Sequence, residues 1–295
     1  MKAAPFEYAR PATLDEACAL LAADDGARVI AGGQTLVPLM AMRLARPTQL
    51  VDIARIPGLA FIRDTGDALV IGATTRQAAA EADPLVWAKL PLLARAIKFV
   101  GHAPTRARGT IGGSLVNADP AAEISLVAVT LGATLAWREA GRDIEMPASD
   151  FFVGPMVTAM PDAACLSSVR FSVWAGQRVG TGFHEVNARS SDFAFASAAA
   201  QISVDADGRC ARVAIGIGAA SACPARLDGA ADALIGTRAD EATVREALRA
   251  AIDGLDIIVD PYASVAYRKR AALALAQRAI ADAYARARGG ETRAA

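Results

Sequence analysis

The most restrictive feature of this chain is a pair of glycine-rich loops, Ala31-Gly32-Gly33-Gln34-Thr35 and Gly109-Thr110-Ile111-Gly112-Gly113-Ser114-Leu115. Glycines permit positive φ and let the backbone approach a partner closely, so successive N–H groups can form a concavity for an anion. A pyrophosphate is the commonest biological anion that needs such a surface. A lone Gly-Gly pair is more often a plain turn. Here the glycines stand beside Gln34, Thr35, Thr110, Ser114 and Asn117. These are small hydrogen-bonding residues of the kind that hold phosphate and sugar hydroxyls, and they tilt the reading towards a ligand.

Other nucleotide and catalytic signatures are missing. The sequence has no G-x-x-x-x-G-K-[ST], no G-x-S-x-G and no H-E-x-x-H. Gly216-Ile217-Gly218-Ala219-Ala220-Ser221 lacks the third glycine of a dinucleotide fingerprint and reads as a strand with a bulge. The two histidines, His102 and His184, have no second ligand at metal spacing. The four cysteines are scattered without a C-x-x-C, which argues against iron–sulfur, zinc or a disulfide framework on this chain and for buried free thiols. No metal site is expected. The 31 Lys+Arg balance the 31 Asp+Glu, so nothing draws the chain to nucleic acid or anionic lipid. The charges of Lys2, Glu7, Arg10, Asp15 and Glu16 leave no apolar signal segment, and the uncharged run from Ile124 to Trp137 is too short to span a bilayer. A cytoplasmic protein is expected.

The chain opens as α/β. Phe6 to Ala9 reads as a strand, Thr13-Leu14-Asp15-Glu16 as a capping box, Gly26 as a helix stop and Arg28-Val29-Ile30 as a strand leading into the first loop. Leu50 to Ile53 and Ala68 to Ala73 read as strands. Thr75 is placed as the cap of a helix through Ala80, and Pro91 to Val100 as another. Asp119-Pro120-Ala121-Ala122-Glu123 is suited to start a helix. Short strands and turns follow to Ser172, with a boundary at Trp174-Ala175-Gly176. Beyond it Phe183 to Phe195, Ala200 to Val204 and Cys210 to Ile217 read as strands or as strand and helix pieces, followed by an Ala-rich helical end.

Ala31-Gly32-Gly33-Gln34-Thr35-Leu36-Val37-Pro38-Leu39-Met40 and the second loop, continuing to Ala118-Asp119-Pro120-Ala121-Ala122-Glu123, resemble the FAD-binding medium subunit of molybdenum hydroxylases, the xanthine dehydrogenase and carbon monoxide dehydrogenase family. Weaker similarity runs through Asp150-Phe151-Phe152, Val169-Arg170-Phe171, Gly182 to Val186 and Tyr267 to Arg270, and so covers nearly the whole chain. The resemblance implies an α+β protein. A two-part FAD-binding domain of p-cresol methylhydroxylase type would fill residues 1–176, a smaller α+β C-terminal domain 177–288, and a flexible tail 289–295.

By the same resemblance, Ala31, Gly32, Gly33, Gln34, Thr35 and Leu36 wrap the FAD pyrophosphate. Thr110, Gly113, Ser114 and Asn117 add amide and hydroxyl contacts, and Asp119 and Glu123 lie near the ribityl or phosphate region. His184 falls where relatives often carry a lysine near the flavin ring, and Phe193 where a side chain faces the isoalloxazine. Phenylalanine stands where some relatives have tyrosine; it can stack but not donate. Molybdopterin and [2Fe–2S] clusters are expected on a large and a small partner subunit, in a dimer of heterotrimers. This chain would only relay electrons, with no catalytic acid or base of its own. The alternative is a self-sufficient flavin oxidoreductase, for which His184 is the one nameable acid or base; a scaffold without FAD ranks lower.

Overall fold

The computed structural model describes residues 2–174, 176 and 178–289. Of the expected boundary Trp174-Ala175-Gly176, Ala175 lies outside the described residues, as does the expected tail but for Gly289. Gly289 itself ends the last helix with φ +80°, a conformation in which a Cβ would be strained.

The first layer is small. Strand β1 (Glu7–Ala9), helix α1 (Leu14–Ala23), β2 (Arg28–Ile30), α2 (Leu36–Ala41) and β3 (Gln49–Asp52) form an all-parallel sheet in the order β1-β3-β2. The capping box forms: Glu16 N donates to Thr13 Oγ1 and the Glu16 carboxylate accepts from Ala12 N. Gly26 is not the expected left-handed stop. The helix ends at Asp24 in extended geometry, and Gly26 is small because Thr48 packs on it.

Strands β4 (Ile62–Asp64) and β5 (Ala68–Gly72) begin a second, antiparallel sheet. The helical segment α3 (Gln77–Ala82), α4 (Pro84–Lys89), α5 (Pro91–Ile97), α6 (Ala103–Arg108), α7 (Ile111–Asn117) and α8 (Glu123–Thr130) covers that sheet. Thr75 does not cap α3; its hydroxyl bridges the backbone N–H and C=O of Phe61, and Arg76 holds the cap position without a side-chain bond. Asp119 to Ala122 form a turn instead of a helix start. The turn is closed by Ala121 N on Asp119 Oδ1, and α8 starts at Glu123. The chain continues through β6 (Thr134–Glu139), β7 (Arg142–Pro147), α9 (Ala148–Phe151), the hairpin β8 (Phe152–Gly154) and β9 (Val157–Thr158), and β10 (Cys165–Ser172). Strand β10 inserts between β5 and β6, giving the order β4-β5-β10-β6-β7 over a core that includes Leu69, Ile71, Leu92, Leu126 and Phe171.

The C-terminal part is a four-stranded antiparallel sheet, β11 (Val179–Asn187), β12 (Ala194–Val204), β13 (Cys210–Gly218) and β14 (Ala225–Arg226), followed by α10 (Asp228–Leu234), α11 (Glu241–Asp253) and α12 (Val265–Ala287). The segment from Phe183 to Phe195, expected as a strand or as strand and helix pieces, spans parts of two strands joined by a loop at 188–193. Strand β12 is almost continuously buried and unusually rich in alanine, because helices press on both of its faces. On one side α12 presents Ala272, Ala276, Ala279 and Ala283, all fully buried. It lies so close that a Cβ at Gly180 or Gly182 would overlap its backbone. On the other side lie α5 and α8. Gly216 and Gly218, which read as a bulged strand, pack against Thr130 and Leu126 of α8 and touch no cofactor cleft.

Candidate cofactor site

Strand β2 delivers the first glycine loop into a cleft of about 770 Å³, a size suited to a cofactor. Gly33 adopts φ +70°, the left-handed region. Gly32 is glycine for a different reason: a Cβ there would stand 2.5 Å from Arg108 O and 2.9 Å from Gly109 Cα, so the two loops abut through bare backbone. Among the described residues, the amides of Gly32, Gly33, Gln34 and Thr35 donate to no group of the chain. A row of unspent donors beside a positive-φ glycine is the local geometry of an anion nest. The Gln34 side chain turns back on its own loop, donating to Gly32 O at 3.1 Å.

The second loop is built differently. It enters α7, whose N-cap Thr110 accepts from Gly113 N at 3.0 Å. Ile111 N and Gly112 N donate to Thr75 O and Ala73 O. The first amides of α7 are therefore engaged within the protein. Gly112 is forced by Ala73, while Gly113 has helical geometry and lies 2.7 Å from Thr110 Oγ1 at its missing Cβ. What α7 offers the cleft is one face, carrying Gly113, Ser114 and Asn117 at helical spacing. The unspent donors come from the first loop, and the second supplies a wall with hydroxyl and amide groups.

Thirteen residues singled out from the sequence line this one cleft: Ala31 to Leu36, Thr110, Gly113, Ser114, Asn117, Asp119, Glu123 and Phe193. Phe193 is 72% exposed at the mouth. His184 is not brought there. Along β11, Gly180, Gly182 and His184 face α12, and His184 Nε2 lies 3.3 Å from Asp282 Oδ2. The alternate residues face α5 and the segment after it: Thr181 Oγ1 accepts from Arg95 Nε at 3.0 Å, and Phe183 packs on Phe99 with ring centroids 5.0 Å apart. Glu185 shares that face. The period-two rule made the two faces visible in the sequence, but only the position of α12 decides which one is covered by which layer. The hairpin residues Met156 and Val157 also line the cleft and carry no sequence signal.

Burial shifts two carboxyls of the cleft lining, Asp119 and Glu123, and also Glu185, which lies outside it. Burial raises the Asp119 carboxyl above the usual range. Burial also pushes Glu123 up to about 7, with the Asp119 charge adding to it. Burial raises Glu185 to about 8, and the neighbouring Glu123 charge contributes. Among the described residues, no group of His, Cys, Asp or Glu is arranged to hold a metal ion, and no helix is long and apolar enough to cross a membrane. The four cysteines are free; three are buried, and Cys223 is half-buried.

Fold and cleft together set an amide-lined loop opposite a helix wall across a cavity of cofactor size. Residues 4–174 match the family described as the FAD binding domain in molybdopterin dehydrogenase, and residues 181–283 the CO dehydrogenase flavoprotein C-terminal domain. The nicotine 6-hydroxylase medium subunit of Paenarthrobacter nicotinovorans is 34% identical, the alignment covering 97% of this chain and 100% of that one. Carbon monoxide dehydrogenase from Hydrogenophaga pseudoflava superposes with a TM-score of 0.93 at 31% identity, covering 97% of this chain and 99% of that chain. Quinoline 2-oxidoreductase from Pseudomonas putida 86 does so with a TM-score of 0.91 at 35% identity and the same coverage. The chain belongs to the family of FAD-binding medium subunits of carbon monoxide dehydrogenase and related molybdenum hydroxylases. It is an oxidoreductase subunit with an α+β FAD-binding domain, a C-terminal domain and FAD as its cofactor.

Proposed function

We propose that this chain is the electron-relaying FAD subunit of a heterotrimeric molybdenum hydroxylase. It takes electrons from [2Fe–2S] clusters on a small partner subunit and passes them to an external acceptor, while a large molybdopterin subunit oxidises the substrate. The observation that carries the reading is the joining of the two loops at Gly32, which makes one cradle with four unspent amides. In this reading Gly32 to Thr35 hold the pyrophosphate, and Ser114 and Asn117 the adjoining hydroxyls. Asp119 and Glu123 border the ribityl end, and Phe193 meets the ring system at the mouth. Bound FAD supplies the redox chemistry; the protein supplies position, exclusion of water and electrostatics. Residues 1–176 would carry the FAD and 177–288 close over it, in a cytoplasmic dimer of heterotrimers.

The competing reading, a flavin enzyme acting alone, required an acid or base at the flavin, and its one candidate was His184. That side chain is paired with Asp282 on the far face of β11, which favours the relay. The test is purification of the tagged chain from its native cells, with an absorption spectrum, metal analysis and identification of co-purifying chains. Flavin bands together with iron, molybdenum and two further polypeptides are expected. Flavin on a lone, metal-free chain that turns over a small molecule would overturn the proposal.

A further inference from the structure

Behind the first glycine loop lies a second cavity, of about 720 Å³, that the assignment above leaves unused. Residues Ile30 to Gln34 line both cavities, so the loop is the wall between them. The second cavity opens at the carboxyl ends of parallel strands: Ile30 closes β2, Asp52 closes β3, and Arg55 follows soon after it. Crevices at that end of a parallel sheet are the usual ligand sites of α/β folds. Arg76 and Arg108 come to the same cavity from the helical segment. A bridge pairs Arg76 with Thr110, and Gln77 N donates to Gly109 O at 2.9 Å, which sets the end of α6 beside the start of α3. The Arg76 guanidinium then donates through Nη1 to the Arg108 carbonyl.

Three arginines thus line one cavity, and the carboxylate that shares it is already engaged. Asp52 accepts from the Tyr8 hydroxyl through Oδ2, and from Ala54 N through Oδ1 at 2.9 Å. Among the described residues, the guanidinium groups of Arg55 and Arg108 have no hydrogen bond or ion pair. The positive surplus is local, since the charges of the whole chain cancel. The first cleft has the opposite character. Asp119, Glu123, Asp162 and Asp192 line it, and its one arginine, Arg28, turns to the carbonyls of Asp25 and Ala27. None of Arg55, Arg76 and Arg108 lines that cleft. Guanidinium groups grip phosphate in bidentate forks, and a concavity where they stand unpaired is suited to an oxyanion. Beside them, Tyr8 is 53% exposed and Val37 is 50% exposed, which gives the cavity an apolar wall as well.

We propose that this second cavity binds a phosphate monoester dianion, held by Arg55, Arg76 and Arg108, at a site separate from that of FAD. Three guanidinium groups against one engaged carboxylate leave a surplus that suits a doubly charged group better than a single carboxylate. Tyr8 and Val37 offer the organic part of such a ligand a surface to cover. No bond is made or broken in this role. The inference uses the presence of FAD in the first cleft, but it does not depend on the identity of the electron donor or acceptor.

The test uses the FAD-loaded full chain, in which flavin occupies the first cleft. Inorganic phosphate and phenyl phosphate are titrated at low ionic strength, following the phosphorus NMR line of the ligand and the flavin absorbance. Saturable binding to a single site is expected, with the flavin absorbance unchanged. Phenyl phosphate should bind about threefold or more tighter than inorganic phosphate, because its ring covers apolar surface. Arg55→Gln and Arg108→Gln should each weaken binding about tenfold or more, the worth of a hydrogen bond to a charged group. The corresponding lysine variants should lose less, since they keep the charge without the fork. Arg249→Gln on α11, outside the cavity, should stay within about twofold of the wild type. An FAD-loaded wild type that binds neither ligand saturably overturns the proposal, as does binding that survives in the Arg55→Gln/Arg108→Gln double variant. Displacement of flavin by either ligand would mean one site instead of two, and flavin lost from the arginine variants would assign those residues to FAD; both results overturn it. Equal affinity for the two ligands overturns the monoester assignment. A chain that takes up no flavin refutes the electron-relay reading instead, and the arginine variants then decide this proposal on the flavin-free chain.

Discussion

Replacing Gly32 by alanine isolates the contact that joins the two loops. Its φ lies outside the left-handed region, so alanine carries no conformational penalty there. Backbone entropy alone would make the change stabilising by about 0.4–1 kcal/mol, through a less flexible unfolded chain. Packing predicts the opposite sign. The new methyl would stand 2.5 Å from Arg108 O and 2.9 Å from Gly109 Cα, and both are backbone atoms with no rotamer to change. The loops must part by about half an ångström or more, and overpacking of this kind costs about 1–3 kcal/mol. The steric effect therefore wins. We expect the flavin-free variant to melt lower, by about 2–4 °C for each kcal/mol in a domain of this size. Displacement of the amide row should weaken FAD binding by about 5- to 150-fold, the same energy expressed as affinity. Calorimetry of the flavin-free chain and a fluorescence titration with FAD measure the two effects. A Gly32→Ala protein that melts at or above the wild type and binds FAD within about twofold would refute the argument that the loops touch at this residue.

Other expectations follow from the same geometry. Thr110→Ala removes the acceptor for Gly113 N and should destabilise by about 1 kcal/mol; Thr110→Ser, measured beside it in denaturant melts, should restore most of the loss. His184→Ala should leave FAD affinity within about twofold, because the ring faces Asp282 of α12 instead of the cleft; a loss of tenfold or more in the titration would place His184 at the flavin after all. Folded-state burial raises Glu123 and Glu185 from an ordinary 4.5 to about 7 and about 8, so the folded chain holds protons that the unfolded chain has released. Their contribution to stability is thus most favourable below about pH 4.5, falls as pH rises through the window to about 8, and is constant above it. Subtracting the pH–stability profile of Glu185→Gln from that of the wild type should yield this slope; a difference of opposite sign would contradict the burial.

Much of this arrangement was legible in the sequence, because glycine and small polar residues have few alternative uses when they occur together. The strand leading to Ile30, the loop after it and the residues from Thr110 to Glu123 that share the cleft were all readable in this way. The failures have a common physical origin. Gly26, Gly112 and Gly113 are small because Thr48, Ala73 and the Thr110 hydroxyl press on them, and tertiary contact leaves no local pattern. Thr75 had the composition of a cap, but its hydroxyl is spent on the backbone of Phe61, just before β4. His184 and Glu185 are neighbours whose roles depend on which face of β11 meets which layer. The choice between them needed the position of α12, which begins about eighty residues later in the chain, at Val265.

The close seating of α12 on Gly180 and Gly182 gives the cleft an unexpected architect. Because that contact is backbone on backbone, the helix fixes how far β11 can retreat, and with it the height at which Thr181, Phe183 and Glu185 stand over the FAD-binding domain. The stripe of buried alanines along α12 is therefore a gauge: each added methyl would thicken the layer behind the sheet and drive its front face forward. Variation in a helix outside the cleft lining would then appear as a change in how β11 stands over the first domain.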